Sequence, residues 1–298
     1  MRIINRGDFD GLACTVLLTE VEQIGEIKMV HPKDVQDGKI TAGAEDIVVN
    51  LPYIPGCGLW FDHHVSEEES LPGDFKGRFE VAPSCARVIY NYYASTHADK
   101  FARFQALLEA ADRLDSAQLS LEDVEKPSGW ILLGLTLDPR SGLGPDFQKY
   151  FRWLAEYIKE VPLEKVMRHP EVLKRTERVL SEQTQFKELL GTHATLDENV
   201  IITDFRGIKD KPVGNRFLVY TLHRGANVEV RLFNGHQGAV VIAVGHSIFN
   251  RTNKVNVGKM LSEYGGGGHH GAGTAQLRAE TAAAQIQEIV GKLKTKKP

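Results

Sequence analysis

Cysteine is scarce in this sequence. Only Cys14, Cys57 and Cys85 occur, scattered and odd in number. That argues against a disulfide framework and for a reducing, cytoplasmic setting. No Cys-x-x-Cys pair occurs, which sets aside a thiolate zinc site. No run of about 18 apolar residues exists, so no segment reads as a membrane-spanning helix. The start, Met1 to Gly11, lacks the apolar core and cleavage site of a secretory leader. Aromatics make up 8% and form no basic, aromatic-rich stripe of the kind that tracks single-stranded nucleic acid. Tyr90, Tyr92 and Tyr93 read as helix packing instead.

What remains is an ordinary globular composition, 42% apolar and 25% charged over 298 residues, enough for about two domains. The net charge of −3 hides an asymmetry. Residues 1–198 carry 22 Lys+Arg against 33 Asp+Glu, and residues 199–298 carry 14 against 6. An acidic front part suits hard cations and a basic back part suits phosphates.

The front part alternates strand and helix patterns. Arg2 to Asn5, Ile27 to His31, Ile47 to Leu51 and Gly58 to Phe61 read as strands, with a helical spacing from Leu12 to Ile24. Such alternation predicts a parallel sheet with crossover helices, whose ligands sit at the carboxyl ends of the strands. Asp8, Asp10, Asn50 and Asp62 all fall just past predicted strands. Helical patterns follow at Ser84 to Ala94, Phe101 to Leu114, Trp130 to Leu137, Phe147 to Ile158 and Pro170 to Leu190. A boundary is expected near Gly191, with 191–198 as linker between domains 1–190 and 199–298. Beyond it, strands are expected at Val200 to Thr203, Val228 to Phe233, Ala239 to Val244 and Thr274 to Leu277. Helices are expected at Asn256 to Tyr264 and Glu280 to Leu293. The fold class is therefore α/β, a parallel-sheet domain followed by a smaller α/β domain, with a cleft expected between them.

Asp8-Phe-Asp10-Gly11 places two carboxylates two residues apart at a strand-to-helix turn. They repel unless a cation shares them, and they suit Mg²⁺ or Mn²⁺. A polar turn with a helix N-cap explains the same residues equally well. Asp62-His63-His64 follows an apolar strand directly. An imidazole beside carboxylates favours Mn²⁺ over Mg²⁺. Asp112 and Asp115 end an apolar helical pattern. Sequence does not choose between them, and Asp112, which follows small residues, is preferred as a further metal carboxylate. Gly265 to Gly268 with His269 and His270 lets backbone N–H groups approach an anion closely. Arg251 and Lys254 precede that run and suit phosphates.

In this order and spacing, the motifs resemble the DHH phosphoesterase family with its DHH-associated C-terminal domain, whose glycine signature reads here as Gly266 to His269. The resemblance implies Mn²⁺ or Mg²⁺, one or two ions, on Asp8, Asp10, His63 and Asp112, with Asn50 as a weak ligand. It implies Asp10, Asp62, His63 and His64 as the catalytic group. Arg6, His64, Arg251, Gly266, Gly267, Gly268, His269 and His270 would hold substrate. The implied reaction is hydrolysis of short nucleotides or related phosphorylated compounds by metal-bound hydroxide attack on phosphorus. A homodimer is a further expectation, because relatives of this kind are often dimers. Two departures stand out. Ile4 and Arg6 occupy the positions where the family carries a histidine, and Asn50 stands where it carries an aspartate, so one metal site is expected to be weak or absent. The alternative is a relative that binds nucleotide or polyphosphate without turnover.

Overall fold

The computed structural model describes residues 1–64, 71–139, 142–209 and 212–294. The end of the basic tail lies outside them. The chain divides into two compact units, Met1–Gln118 with Pro127–Glu177, and Leu119–Lys126 with Arg178–Pro298.

The first unit is built on short β-branched runs that are buried on both faces, as parallel strands under helices must be. Strands β1 (Arg2–Asn5), β2 (Glu26–Met29), β3 (Asp46–Val49), β4 (Leu59–Asp62) and β5 (Gly77–Phe79) form one sheet in the order β2-β1-β3-β4-β5. Every pairing in it is parallel. The β1–β3 register sets Arg2 opposite Asp46. Two 2.8 Å hydrogen bonds from the Arg2 guanidinium to the Asp46 carboxylate hold it there. One face of the sheet buries Ile4, Val48 and Trp60 against Val35, Leu51 and Ile54. The Trp60 indole N–H donates to the Leu51 carbonyl at 2.9 Å, so the ring is buried without an orphaned donor.

Helix α1 (Phe9–Val21) buries its first ten residues and packs against three neighbours. These are α3 (Cys85–Phe101), α4 (Gln105–Asp115) and α7 (Pro145–Glu160). A helix apolar all round is one covered all round. The short α2 (Pro32–Gln36) lies between β2 and β3 in the chain. Helix α3 runs seven residues past its expected end. The Phe101–Phe104 stretch is helix end and 3₁₀ turn rather than the start of α4. Helices α5 (Leu121–Glu125), α6 (Gly129–Leu135) and α8 (Leu163–Val166) connect these, and α9 (Pro170–His193) carries the chain from one unit into the other.

Residues 191–198, expected as a linker, are the last turn of α9 and strand β6 (Ala194–Asp197), which pairs antiparallel with β7 (Val200–Asp204). An exposed glycine inside a long helix costs only about 1 kcal/mol, so Gly191 does not end α9. The second unit adds α10 (Val219–Leu222), β8 (Val228–Asn234), β9 (Val240–His246), α11 (Val257–Ser262), β10 (Gly267–His269), β11 (Ala272–Leu277) and α12 (Ala279–Leu293). Its sheet order is β10-β11-β9-β8-β7-β6. Val230, Ile242 and Leu261 meet Ile289 and Leu293 of α12 in its core.

Candidate active site

In a sheet ordered 2-1-3-4-5 the winding reverses between β1 and β3, and the crevice beyond that point is the natural ligand site. The residues just past β1, β3 and β4 are Asp8 and Asp10, Asn50, and His63 and His64. The candidate residues of the first unit thus converge for topological reasons.

Asp10 is 3% exposed. Its carboxylate lies at the N-terminus of α3, accepting from the backbone N–H of Cys85 at 2.8 Å and of Ala86 at 2.9 Å. Those unpaired helix donors and the helix dipole favour an anion. The Cys14 thiol reaches the same carboxylate at 3.8 Å. Burial and the nearby Asp115 nonetheless push the Asp10 pKa above the carboxylate range, with His63 offsetting part of the rise.

His63 is 8% exposed. Its Nδ1 lies 2.9 Å from the Ala82 carbonyl, and since a carbonyl only accepts, Nδ1 carries a proton. Nε2 sits 3.1 Å from Asp115 Oδ2 and 3.8 Å from Asp10 Oδ2. Neither approach is aligned as a hydrogen bond, and Nε2 is buried without a partner. Asp10, His63 and Asp115 offer one ligand atom each, all within 4.8 Å of one another. An imidazole anchored through Nδ1, with an orphaned Nε2 facing two carboxylates, has the donor chemistry of a divalent-cation site. The residues fit the ion that the sequence implies.

Burial alone would lower the His63 pKa, but Asp115 and Asp10 outweigh it and raise it to about 9. Asp115 moves the other way: burial would raise it, and the His63 cation brings it below the usual range. A raised histidine pKa stabilises the cation-free fold below about 6.5 and loses that contribution as pH rises towards 9. Binding a cation requires His63 neutral, so it releases a proton in that window. Mn²⁺ affinity should therefore climb between pH 6.5 and 9, while the melting temperature of the cation-free protein falls. Calorimetric titrations and melting curves across that range check both. A flat affinity would remove His63 from the ligand set.

Asp62, His63 and His64 form a second close group. Here one Asp62 oxygen is paired with His64 and the other, Oδ2, is buried without a partner. Asp62 is fully buried, and its Oδ1 accepts from His64 Nδ1 at 2.7 Å. Burial would lower the His64 pKa, but the Asp62 hydrogen bond and charge win and raise it. The His64 side chain keeps 33% exposure, so the pair presents the far edge of the imidazole to solvent.

Asp8 is the N-cap of α1 and accepts from the Gly11 N–H at 2.9 Å. The same Oδ1 accepts from Asn50 Nδ2 at 3.0 Å, and Arg6 Nε pairs with Oδ2 at 3.0 Å. Gly11 is required for a close approach, since a Cβ there would lie 1.9 Å from the Arg6 carbonyl. Asn50 is fully buried with φ +55, a left-handed conformation that asparagine tolerates better than most residues.

Asp112, the preferred carboxylate in sequence, is not in this group. It accepts from Ser84 Oγ at 2.7 Å and from Arg87 Nη2 at 2.5 Å and Nε at 3.0 Å. Asp112 ties α4 to the start of α3, and Asp115, three residues on, reaches His63. Sequence reasoning also missed the α3 N-terminus as the seat of Asp10. Its one available signal was Ser84, whose Oγ caps the helix by accepting from the Arg87 N–H at 3.0 Å.

In the second unit, Arg251, Lys254, His269 and His270 are exposed. The glycine run is a hairpin strand rather than an open loop. A Cβ on Gly266 would lie 2.3 Å from the Thr274 carbonyl, and one on Gly268 2.3 Å from the Ala272 carbonyl. Gly265 and Gly267 face open space, and of the two only Gly265 has a positive φ, +73. His246 was not singled out in sequence. Its ring lies 5.8 Å from that of His270, and burial with the His270 charge lowers its pKa.

A parallel sheet gathers carboxylates and adjacent histidines at its switch point, and the chain belongs to the DHH phosphoesterase family. It is 34% identical to the pGpG-specific phosphodiesterase PggH from Vibrio cholerae, over 98% of each chain, with a TM-score of 0.85. Two further solved structures share the fold. One is an exopolyphosphatase-related protein from Bacteroides fragilis, at 11% identity over 98% of this chain and 91% of that one, TM-score 0.57. The other is exonuclease RecJ bound to manganese, at 13% identity over 97% and 89%, TM-score 0.50. A scan of protein-family models and a search of curated proteins returned no match.

Proposed function

We propose that the protein is a divalent-metal-dependent phosphodiesterase that hydrolyses short linear dinucleotides of the pGpG type. The observation that carries this reading is the 34% identity to a pGpG-specific phosphodiesterase along 98% of both chains. The acceptor cluster of Asp10, His63 and Asp115 supports it independently.

In this reading Asp10, His63 and Asp115 hold the cation, and an imidazole among carboxylates favours Mn²⁺. When bound, the ion supplies positive charge that polarises a phosphoryl oxygen and acidifies water. The protein's own residues do the rest. The α3 N-terminus fixes Asp10 in one orientation through two backbone donors. The Ala82 carbonyl fixes the His63 tautomer, leaving Nε2 as a lone-pair donor. Asp62 holds the His64 ring through Nδ1 and favours its doubly protonated form, in which Nε2 carries the transferable proton. Water adds to phosphorus, the P–O3′ bond breaks, and His64 gives that proton to the departing oxygen. The products of pGpG would be two molecules of 5′-GMP.

Arg251, His269, His270 and the Gly266–Gly268 backbone are proposed as phosphate contacts of the second unit. Gly267 offers a clean check, because a methyl group there meets nothing in the fold. Gly267→Ala should fold and melt as the parent does while raising the KM roughly tenfold if a ligand packs on that backbone. An unchanged KM removes Gly267 from the contacts.

The deciding experiment supplies Mn²⁺ and offers pGpG, a 3′,5′-bisphosphonucleoside, a cyclic dinucleotide and a short polyphosphate, each beside an Asp10→Ala control. Release of GMP from pGpG, lost in the control, is expected. Turnover of the bisphosphonucleoside or polyphosphate alone would overturn the substrate class. Tight pGpG binding with no turnover would favour a binding protein.

A further inference from the structure

Asp8 and Asp10 stand two residues apart but live in opposite surroundings. Asp10, His63 and Asp115 bring two carboxylates and an imidazole nitrogen within 4.8 Å of one another, three ligand atoms once His63 gives up its Nε2 proton. Asp8 is ringed by donors. The Gly11 N–H and the Asn50 amide N–H donate to its Oδ1 at 2.9 and 3.0 Å, and the Arg6 guanidinium forms an ion pair with its Oδ2 at 3.0 Å. A cation placed against Asp8 would face three positive dipoles or charges and would have to displace them. Asp8 joins neither of the close ligand groups found among the described residues.

The Asn50 amide cannot turn its oxygen to Asp8 without setting two acceptors face to face. Its Nδ2 donates to Asp8 at 3.0 Å, and its Oδ1 is buried without a partner. Arg6 keeps 35% side-chain exposure, and among the described residues no carboxylate other than Asp8 comes within 4.0 Å of it. A half-exposed guanidinium whose Nε faces Asp8 leaves its Nη edge for another oxyanion, as arginine forks onto two oxygens of a phosphate.

We infer that the centre takes one divalent cation, on Asp10, His63 and Asp115, and that Arg6, anchored on Asp8, supplies the second positive charge and binds a substrate phosphate. The inference rests on the proposed metal-dependent function. It concerns how many ions bind and what neutralises Asp8.

The test counts ions. The full-length protein is saturated with Mn²⁺, freed of excess, and analysed for metal per chain and by electron paramagnetic resonance. One ion per chain with a mononuclear six-line spectrum is expected. Two ions per chain with an exchange-coupled spectrum would overturn the inference while leaving the metal-dependent function standing. No bound ion would overturn both. Arg6→Gln then separates charge from structure, since glutamine retains a donor for Asp8. It should keep one ion and the parent melting temperature while weakening binding of a non-hydrolysable pGpG analogue at least tenfold. Unchanged analogue affinity would overturn the phosphate role of Arg6.

Discussion

Asp115→Asn is expected to release the cation and lower kcat/KM by roughly 100- to 1000-fold, whereas Asp112→Asn keeps the ion and costs less than tenfold in rate. The two residues sit three apart at the end of α4, so composition and helix position treat them alike. Their partners differ. Asp115 faces His63 across 3.1 Å, and removing its charge takes the nearest counter-charge from a buried imidazole and one ligand from the cation. Stripping one partner from a buried charged cluster costs about 3–5 kcal/mol, and each 1.4 kcal/mol is a factor of ten. Asp112 is held by Ser84 and Arg87, both on the scaffold. Its loss should appear as about 1–3 kcal/mol of stability, because α4 loses its tie to the start of α3. Mn²⁺ titration, steady-state kinetics and melting curves on the two variants check this. Equal loss of metal affinity in both would refute the assignment of Asp115.

The second large effect falls on the Asp62–His64 pair. His64→Ala should lower kcat by about 100- to 10,000-fold, the usual contribution of a positioned proton donor, while the ion stays bound. Asp62→Asn should lose less, and its pH profile is the more telling readout. Asp62 holds the His64 pKa up, and a proton donor works only while protonated. Activity therefore falls as pH rises through that pKa. Without the Asp62 charge, the fall should begin at lower pH. Rate profiles from pH 5.5 to 9.5 decide it. An alkaline limb that stays in place in Asp62→Asn would show that His64 is not the donor.

The parallel core was legible in sequence because β1, β3 and β4 are short, continuous, β-branched or aromatic runs ended by aspartate or asparagine. Asp8, Asp10, Asn50, His63 and His64 follow from that pattern, since strand ends on one edge of a sheet are neighbours by construction. β5 was not legible. Its three residues have no periodicity, and it becomes a strand because Gly77, at φ +110, lets the chain lie against the Trp60 backbone. The choice of Asp115 was not legible either, because Ser84 and Arg87, which claim Asp112, lie 28 and 25 residues away from it in sequence. The glycine run was legible as a place needing glycine. For Gly266 and Gly268 the structure adds a packing reason, because neighbouring backbone already fills the space a side chain would take.

The seat of Asp10 bears on how the protein comes into being. The donors that fix its carboxylate lie 75 and 76 residues further along the chain, and Asp115 lies further still. A ribosome-bound chain ending at His64 would already contain Asp10 and both histidines, yet nothing would aim them. The centre matures only when the α3 and α4 segments dock, a late, long-range step. Cation uptake during synthesis would thus report that the first unit has closed, and a truncated chain would be inert.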